Sequence, residues 1–261
     1  MLKNLISWFL KGLAPLCLAM PAHAQEAPNI AAAADLRVAL TDVAAAFERD
    51  TKQKVTLTFG SSGNFFQQLK RGAPFQLFLS ADEGYVTELA KAGKTEGDGV
   101  LYAIGRLALV APNSSSLKLD ARLNGLRAAI GRGEVSRFAI ANPDHAPYGE
   151  KAKEALEHAG LWQPLKGKLI MGDNVSQAAQ FATAGGAQGG IVSYSLVLDP
   201  EFSKRARYVL LPASFHRPLR QRMVLMKGAN AVARRFFTYI QQPAARRILV
   251  RYGFGLPGEA R

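Results

Sequence analysis

Five small residues, Gly60, Ser61, Ser62, Gly63 and Asn64, stand between the strand-like run "KVTLTF" and the helix-like run "FFQQLK". Glycines permit tight backbone turns, and serine hydroxyls both donate and accept hydrogen bonds. The helix that follows presents unpaired N–H groups and the positive end of its dipole. Residues of these types in this order can cradle an anion without any basic side chain. They equally suit a plain turn or an N-cap, because serine ahead of a helix commonly caps it. The rest of the chain has to decide between these readings.

Three other segments have the same character. "AAAADLR" places a strand end directly before a helix, with Asp35 as candidate N-cap. "GDNVSQAA" repeats the arrangement with Asp173 or Asn174 at the cap, and "NPDHAPYGEKA" leads into another helix start. Four such junctions converge on one cleft if they lie at the carboxyl ends of strands in open α/β sheets, where ligands of such folds gather. Catalytic alternatives have little to work with. Beyond the N-terminal leader the histidines are His145, His158 and His216, and no HExxH, GxSxG or GxxxxGK[ST] pattern occurs. His145 sits in a Pro-bounded loop and His158 on the charged side of a helix. Asp35 with His145 is the only pair an exported enzyme would nominate.

The elements that must position these junctions read as alternating strands and helices. "NIAAAADL" is a short apolar run, and "RVALTDVAAAFERDT" carries Leu36, Leu40, Val43 and Phe47 at helical spacing. "KVTLTFG" alternates like a half-buried strand, "FQLFLSAD" is a further apolar strand, and "EGYVTELAKAGK" a helix. "RLALVAP", "RFAIANPDH", "GEKAKEALEHAGLW", "KLIMGD", "NVSQAAQFATA" and "GGIVSYS" repeat the pattern, followed by strands "RYVLLPAS" and "QRMVLMK" and a helical end. Strands separated by single helices indicate parallel sheets with crossovers. Two such sets predict two lobes, each a mostly parallel sheet flanked by helices. We expect lobe 1 over 25–108, with part of 200–261, and lobe 2 over 109–199.

The N-terminus "MLKNLISWFLKGLAPLCLAMPAHA" brackets an apolar run with Lys3 and Lys11 and ends in Ala22-His23-Ala24, a pattern cut by signal peptidase. Residues 1–24 are therefore expected to be a leader cleaved near Ala24, sending the chain to the periplasm. Cys17 lies within it, so the exported part holds together by its apolar core without disulfides. The charge of +13 asks about nucleic acid, but Lys and Arg are dispersed. The densest groups, near Arg234 and Arg246, alternate with Phe236, Ile240, Ile248 and Leu249 as on solvated helix faces. No nucleic-acid partner is expected.

The strings "AAAADL", "FGSSGNFFQQLKRGAPFQLFLSAD", "NPDHAPYGEKAKEAL", "GDNVSQA", "GIVSYS" and "RYGF", in this order over almost the whole exported part, resemble the ModA family. These are the periplasmic molybdate-binding proteins of ABC transporters. The resemblance implies a two-lobed periplasmic binding protein fold of type II. It implies closure over a tetrahedral oxyanion, molybdate or tungstate, and delivery to a permease in the inner membrane. No catalysis, no cofactor and no metal beyond that of the bound oxyanion follow from it. Carried onto matching positions, it implies that Ser62, with Ser61 beside it, offers hydroxyl and N–H. It implies too that Tyr148 lies in a loop giving a backbone N–H and that Val175 gives an N–H from a helix start. The family's cleft tyrosine matches Ser193 by position, with Tyr194 one residue later. A displacement of one residue flips a strand side chain, so both stay candidates.

Asp35 departs from the resemblance, which implies Ser or Thr there. A carboxylate facing a dianion is repelled by ~4 kcal/mol per charge pair at 4 Å and an effective dielectric of about 20. Three outcomes are open. Asp35 turns away to cap its own helix and offers only its N–H; or it accepts a proton from a protonated oxyanion such as hydrogen phosphate; or it marks a different ligand.

Overall fold

The computed structural model describes residues 26–258. The expected leader and its cleavage near Ala24 lie outside the described residues. The chain first lays down β1 (Asn29–Ala33), α1 (Arg37–Thr51), β2 (Thr56–Gly60), α2 (Ser62–Lys70), β3 (Leu77–Ser80), α3 (Glu83–Lys91) and β4 (Val100–Gly105). It then crosses into a second unit: β5 (Leu107–Pro112), α4 (Asn124–Gly131), β6 (Phe138–Ala141), α5 (Pro147–His158), α6 (Trp162–Leu165), β7 (Leu169–Gly172), α7 (Val175–Ala184), β8 (Gly189–Ser193), α8 (Tyr194–Val197), α9 (Pro200–Ser203) and β9 (Ala206–Leu210). β10 (Leu219–Leu225) returns to the first unit, and α10 (Ala231–Ile240) and α11 (Pro243–Arg251) follow.

Two five-stranded sheets result, in the orders β2-β1-β3-β10-β4 and β7-β6-β8-β5-β9. In the first, β1 pairs parallel with β2 and β3, and β10 runs antiparallel between β3 and β4. The second mirrors it, with β6 parallel to β7 and β8, and β5 antiparallel between β8 and β9. In each sheet, therefore, every strand but one points the same way, which is an α/β fold of two lobes. The lobes are linked by two strand-to-strand crossings, one at Arg106 between β4 and β5 and one through the segment between β9 and β10.

Local pattern explains the elements. Leu36, Leu40, Val43 and Phe47 are all fully buried, so the apolar stripe of α1 faces the first sheet, together with Phe236 and Ile240 of α10 and Leu249 of α11. The helix stops where Lys52 turns left-handed, at φ 60°. Phe65 and Phe66 of α2 pack with Phe78 and Val86 on the sheet's other face. This is core packing, and the paired rings form no stacking platform. The second lobe has one continuous core around β5, β6 and β8. β4 and α4 are strand and helix that the alternation of motifs does not announce. Among the described residues no helix is long and apolar enough to cross a membrane.

Candidate functional site

The four junctions meet. Ala33 to Asp35 after β1, Gly60 to Ser62 after β2, Ala146 to Tyr148 after β6, and Asn174 with Val175 after β7 line a single cavity, with Ala81 after β3. The empty space is about 190 Å³, part of it open to solvent. The enclosed part is about 10 Å³, room for about one water molecule and far below the roughly 300–1,000 Å³ of sites for larger organic ligands. No lysine or arginine lines it.

Capping chemistry determines which donors remain for a guest. The first-turn N–H groups of a helix have no intrahelical acceptor. In α2, Ser61 caps: its Oγ accepts from Asn64 N–H, its carbonyl accepts from Phe65, and Gly63 N–H donates to the His145 carbonyl at 2.9 Å. In α7, Asn174 Oδ1 accepts from Ser176 and Gln177, and its carbonyl accepts from Ala178. In α5, Pro147 has no N–H, and Gly149 and Glu150 both donate to the Ala146 carbonyl. One N–H is left over in each helix: Ser62, Val175 and Tyr148, all three lining the cavity. The Ser62 hydroxyl accepts from Ala81 N–H at 2.9 Å, which leaves its own proton to donate. It is 1% exposed.

Asp35 brings the one formal charge to the lining. The short helical turn Ala34–Leu36 has no side-chain cap, and neither does α1. The expectation that Asp35 caps its own helix is therefore corrected: its carboxylate turns into the interlobe seam. Oδ2 accepts from Gln221 Nε2 at 2.6 Å and from Tyr148 Oη at 3.0 Å. Tyr102 Oη donates to Gln221 Oε1 at 2.8 Å. Oδ1 is buried without a partner. Burial pushes the Asp35 carboxyl up to about 6 against the pull of the Gln221 and Tyr148 hydrogen bonds and of the nearby backbone N–H groups of Asp35 and Leu36. Burial and the neighbouring Asp35 also hold Tyr148 well above the ordinary phenol range.

Other bonds join the lobes around the cavity. Ser61 Oγ lies 3.0 Å from His145 Nδ1, and His145 Nε2 lies 3.7 Å from Asp173 Oδ1. Asn64 Nδ2 donates to Asp173 Oδ1 at 3.1 Å. Ser176 Oγ donates to the Ala34 carbonyl at 2.9 Å, and Ser195 Oγ to the Asp35 carbonyl at 2.8 Å. Gly63 tolerates no side chain, since a Cβ there would meet the His145 carbonyl at 2.5 Å and Tyr85 Oη at 2.9 Å.

The chain is similar to known proteins over most of its length. Residues 28–255 match the family described as bacterial extracellular solute-binding protein. The chain is 34% identical to the molybdate-binding protein ModA of Azotobacter vinelandii, over 92% of this chain and 93% of that protein. It is also 34% identical to ModA of Rhodobacter capsulatus, over 91% of each. The chain belongs to the ModA family of bacterial extracellular solute-binding proteins. A solved structure titled Azotobacter vinelandii periplasmic molybdate-binding protein superposes with a TM-score of 0.81 at 27% identity, covering 88% of this chain and 99% of that one. As a ModA-family member, the chain is a substrate-binding protein and not an enzyme.

Two positions singled out by the ModA resemblance do not reach the cavity lining. Ser193 ends β8, fully buried, and its Oγ lies 3.2 Å from Ser195 Oγ. Tyr194 opens α8 rather than continuing the strand, and its N–H donates to the Arg106 carbonyl. Its ring packs under Arg106, against Tyr208 at 6.0 Å and over Gly253. Strand alternation does not separate the two residues, because the strand stops between them. Tyr148 differs too: it is in the first turn of α5, not a loop, and contributes its phenol to Asp35 as well as its N–H to the lining. Gln221 and Tyr102, which hold Asp35, come from β10 and β4. Nothing in the local strings "QRMVLMK" and "VLYAIG" marks them.

Proposed function

We propose that this ModA-family chain is exported to the periplasm, its leader removed near Ala24, and there captures a tetrahedral oxyanion for an ABC permease in the inner membrane. Molybdate or tungstate is the ligand. The lobes, meeting at the cavity and linked through the β4–β5 and β9–β10 crossings, close over it by hinge motion. Ser62 gives its hydroxyl and N–H, while Tyr148 and Val175 give N–H groups; Ser61 positions this cradle through His145. The single observation that carries the reading is the set of leftover N–H groups of Ser62, Tyr148 and Val175, with the Ser62 hydroxyl, around one small cavity that no lysine or arginine lines. Similarity to proteins named molybdate-binding supports the choice of ion.

Neutral dipoles suit this task because they stabilise an anion without a fixed countercharge and leave selectivity to cavity size and to protonation. Thermal unfolding of the chain with molybdate, tungstate, sulfate, phosphate and chromate tests the reading, since a ligand of the folded state raises the midpoint in proportion to RT ln(1 + [L]/Kd). Molybdate and tungstate are expected to give the largest rises. No rise with any of the five removes it.

A further inference from the structure

We propose that Asp35 makes capture proton-linked: one proton is shared between the Asp35 carboxyl and an oxygen of the bound oxyanion, so the cavity accepts a tetrahedral oxyanion together with a proton rather than the bare dianion. The inference deepens the oxyanion reading above and rests on it.

The two carboxyl oxygens have different surroundings. Oδ2 is filled by two donors, Gln221 Nε2 and Tyr148 Oη. Gln221 Nε2 also donates to Tyr148 Oη at 3.2 Å, so the amide nitrogen serves both groups. Oδ2 is thus held as an acceptor, and any proton on the carboxyl belongs on Oδ1. Oδ1 is the buried oxygen without a partner, on a residue that lines the cavity and is 1% exposed. The lining has no lysine or arginine to offset a third negative charge beside a dianion. Two like charges confined to one dry site keep a proton between them, as paired carboxylates do. The proton comes from solvent on binding and returns to it on release. Whether it is drawn as carboxylic acid facing dianion or carboxylate facing hydrogen oxyanion, the composition is the same.

Titration of Asp35 in the relevant range is consistent with this, since burial already brings its carboxyl to about 6 before any anion arrives. The groups facing it are Tyr148 from α5, Gln221 from β10 and, behind Gln221, Tyr102 from β4. Burial first, and Asp35 second, hold both phenols well above their ordinary range. Ser176 and Ser195, from α7 and α8, face backbone carbonyls at Ala34 and Asp35. From α2, Ser61 and Ser62 line the same cavity. Further out stand His145 with Asp173, Asp82 at the start of α3, and Lys151 held between Glu150 and Glu154.

Calorimetric titration of molybdate into the chain, run near pH 7.5 in two buffers of different ionisation enthalpy, counts protons directly. About one proton is expected to be taken up per ion bound; a count near zero overturns the proposal. The dissociation constant is expected to be flat below about pH 6 and to weaken about tenfold per pH unit above it. In Asp35→Asn the amide presents its oxygen to Tyr148 and Gln221 and its N–H₂ toward the guest, so the slope should fall to less than about twofold over the same range. A slope that survives in Asp35→Asn assigns the proton to another group and also overturns the proposal. If Asp35→Asn does not fold, the proton count in the unmodified chain decides alone. Failure of molybdate, tungstate, phosphate and arsenate to bind at any pH removes the oxyanion reading and this one together, whereas binding without proton uptake removes only this one.

Discussion

Tyr148 in the first turn of α5 donates its phenol proton across the seam between the lobes to Asp35 Oδ2, 3.0 Å away. The same residue presents its backbone N–H to the cavity that Asp35 lines. One residue therefore both lines the cavity and holds the only formal charge in its lining.

Tyr148→Phe removes this donor and leaves Gln221 as the sole side-chain partner of a buried carboxylate. A hydrogen bond to a charged group is worth about 1.5–3 kcal/mol, and a loss of stability of that order is expected from urea unfolding at neutral pH. A loss below about 0.5 kcal/mol would mean that the phenol does not bond to the carboxylate in solution.

Ser62→Ala deletes a hydroxyl whose acceptor side is occupied by Ala81 N–H and whose proton is free for the guest. Removing a charge-assisted hydrogen bond weakens an anion by about 10- to 100-fold. Lys70→Ala and Arg71→Ala, on the exposed end of α2 away from the cavity, should change affinity by less than about threefold, within what weak surface electrostatics allow. Calorimetry with molybdate that returned the opposite ranking would reject a site built from neutral donors.

Gly105 ends β4 just before the first crossing, and a Cβ there would collide with Tyr148 Oη and come within 2.9 Å of Gln221 Nε2. Gly105→Ala is expected to push the two donors off Asp35 and cost about 1–3 kcal/mol, the usual range for overpacking. The double variant Gly105→Ala with Tyr148→Phe should lose less than the sum of the single losses, because the two changes act on one contact. Strict additivity would place the damage elsewhere.

Asp35 itself gives stability a defined pH dependence. Its folded value of about 6 lies above the ordinary 3.8, because burial penalises the charge more than Gln221 and Tyr148 relieve it. As pH rises from 3.8 to about 6 the unfolded chain releases this proton first. The group therefore lowers stability across that window, by about 3 kcal/mol in all. In Asp35→Asn that decline is absent, so the variant should gain on the natural chain between about pH 4 and pH 7 in unfolding midpoints. A constant difference between the two chains would contradict the sign.

Glu154 on α5 titrates in the other direction. Desolvation raises its carboxyl, but hydrogen bonds from Arg217 on the returning crossing and from Lys151 outweigh it and hold it at about 2, below the ordinary 4.5. Its stabilisation is present above 4.5 and disappears as pH falls toward 2. Solvent screens this half-buried cluster, so Glu154→Gln should cost about 1 kcal/mol at neutral pH and nothing measurable once the carboxyl is protonated. Equal costs at both pH values would point to packing rather than charge.

Much of the architecture is legible in the chain because its periodicities are strong. α1 has its apolar residues at helical spacing, and its bounds coincide with the run "RVALTDVAAAFERDT". The strands preceding the four junctions are short and apolar, and Ser61 and Asn174 are capping residues by type as well as in fact. β4 and α4 are less legible: only Arg106 separates β4 from β5, and α4 starts at Leu123 without a side-chain cap, its first-turn Asn124 and Gly125 N–H groups donating instead to Asp120, four and five residues back. The placement of Ser193 and Tyr194 is not legible in the sequence, since the point where a strand gives way to a helix depends on packing against Gly253 and Arg106, both far away in sequence.

By itself the sequence determined the two lobes, the strand-to-helix corners and the residue types that leave backbone donors unpaired, because these follow from local spacing and capping chemistry over a few residues. The tertiary structure alone decided what Asp35 does. Its partners Tyr148 and Gln221 lie 113 and 186 residues away, and only when β10 returns between β3 and β4 does a glutamine in an otherwise ordinary strand come to face that carboxylate. The protonation of a buried group is set by its surroundings in space, which no stretch of neighbouring residues specifies.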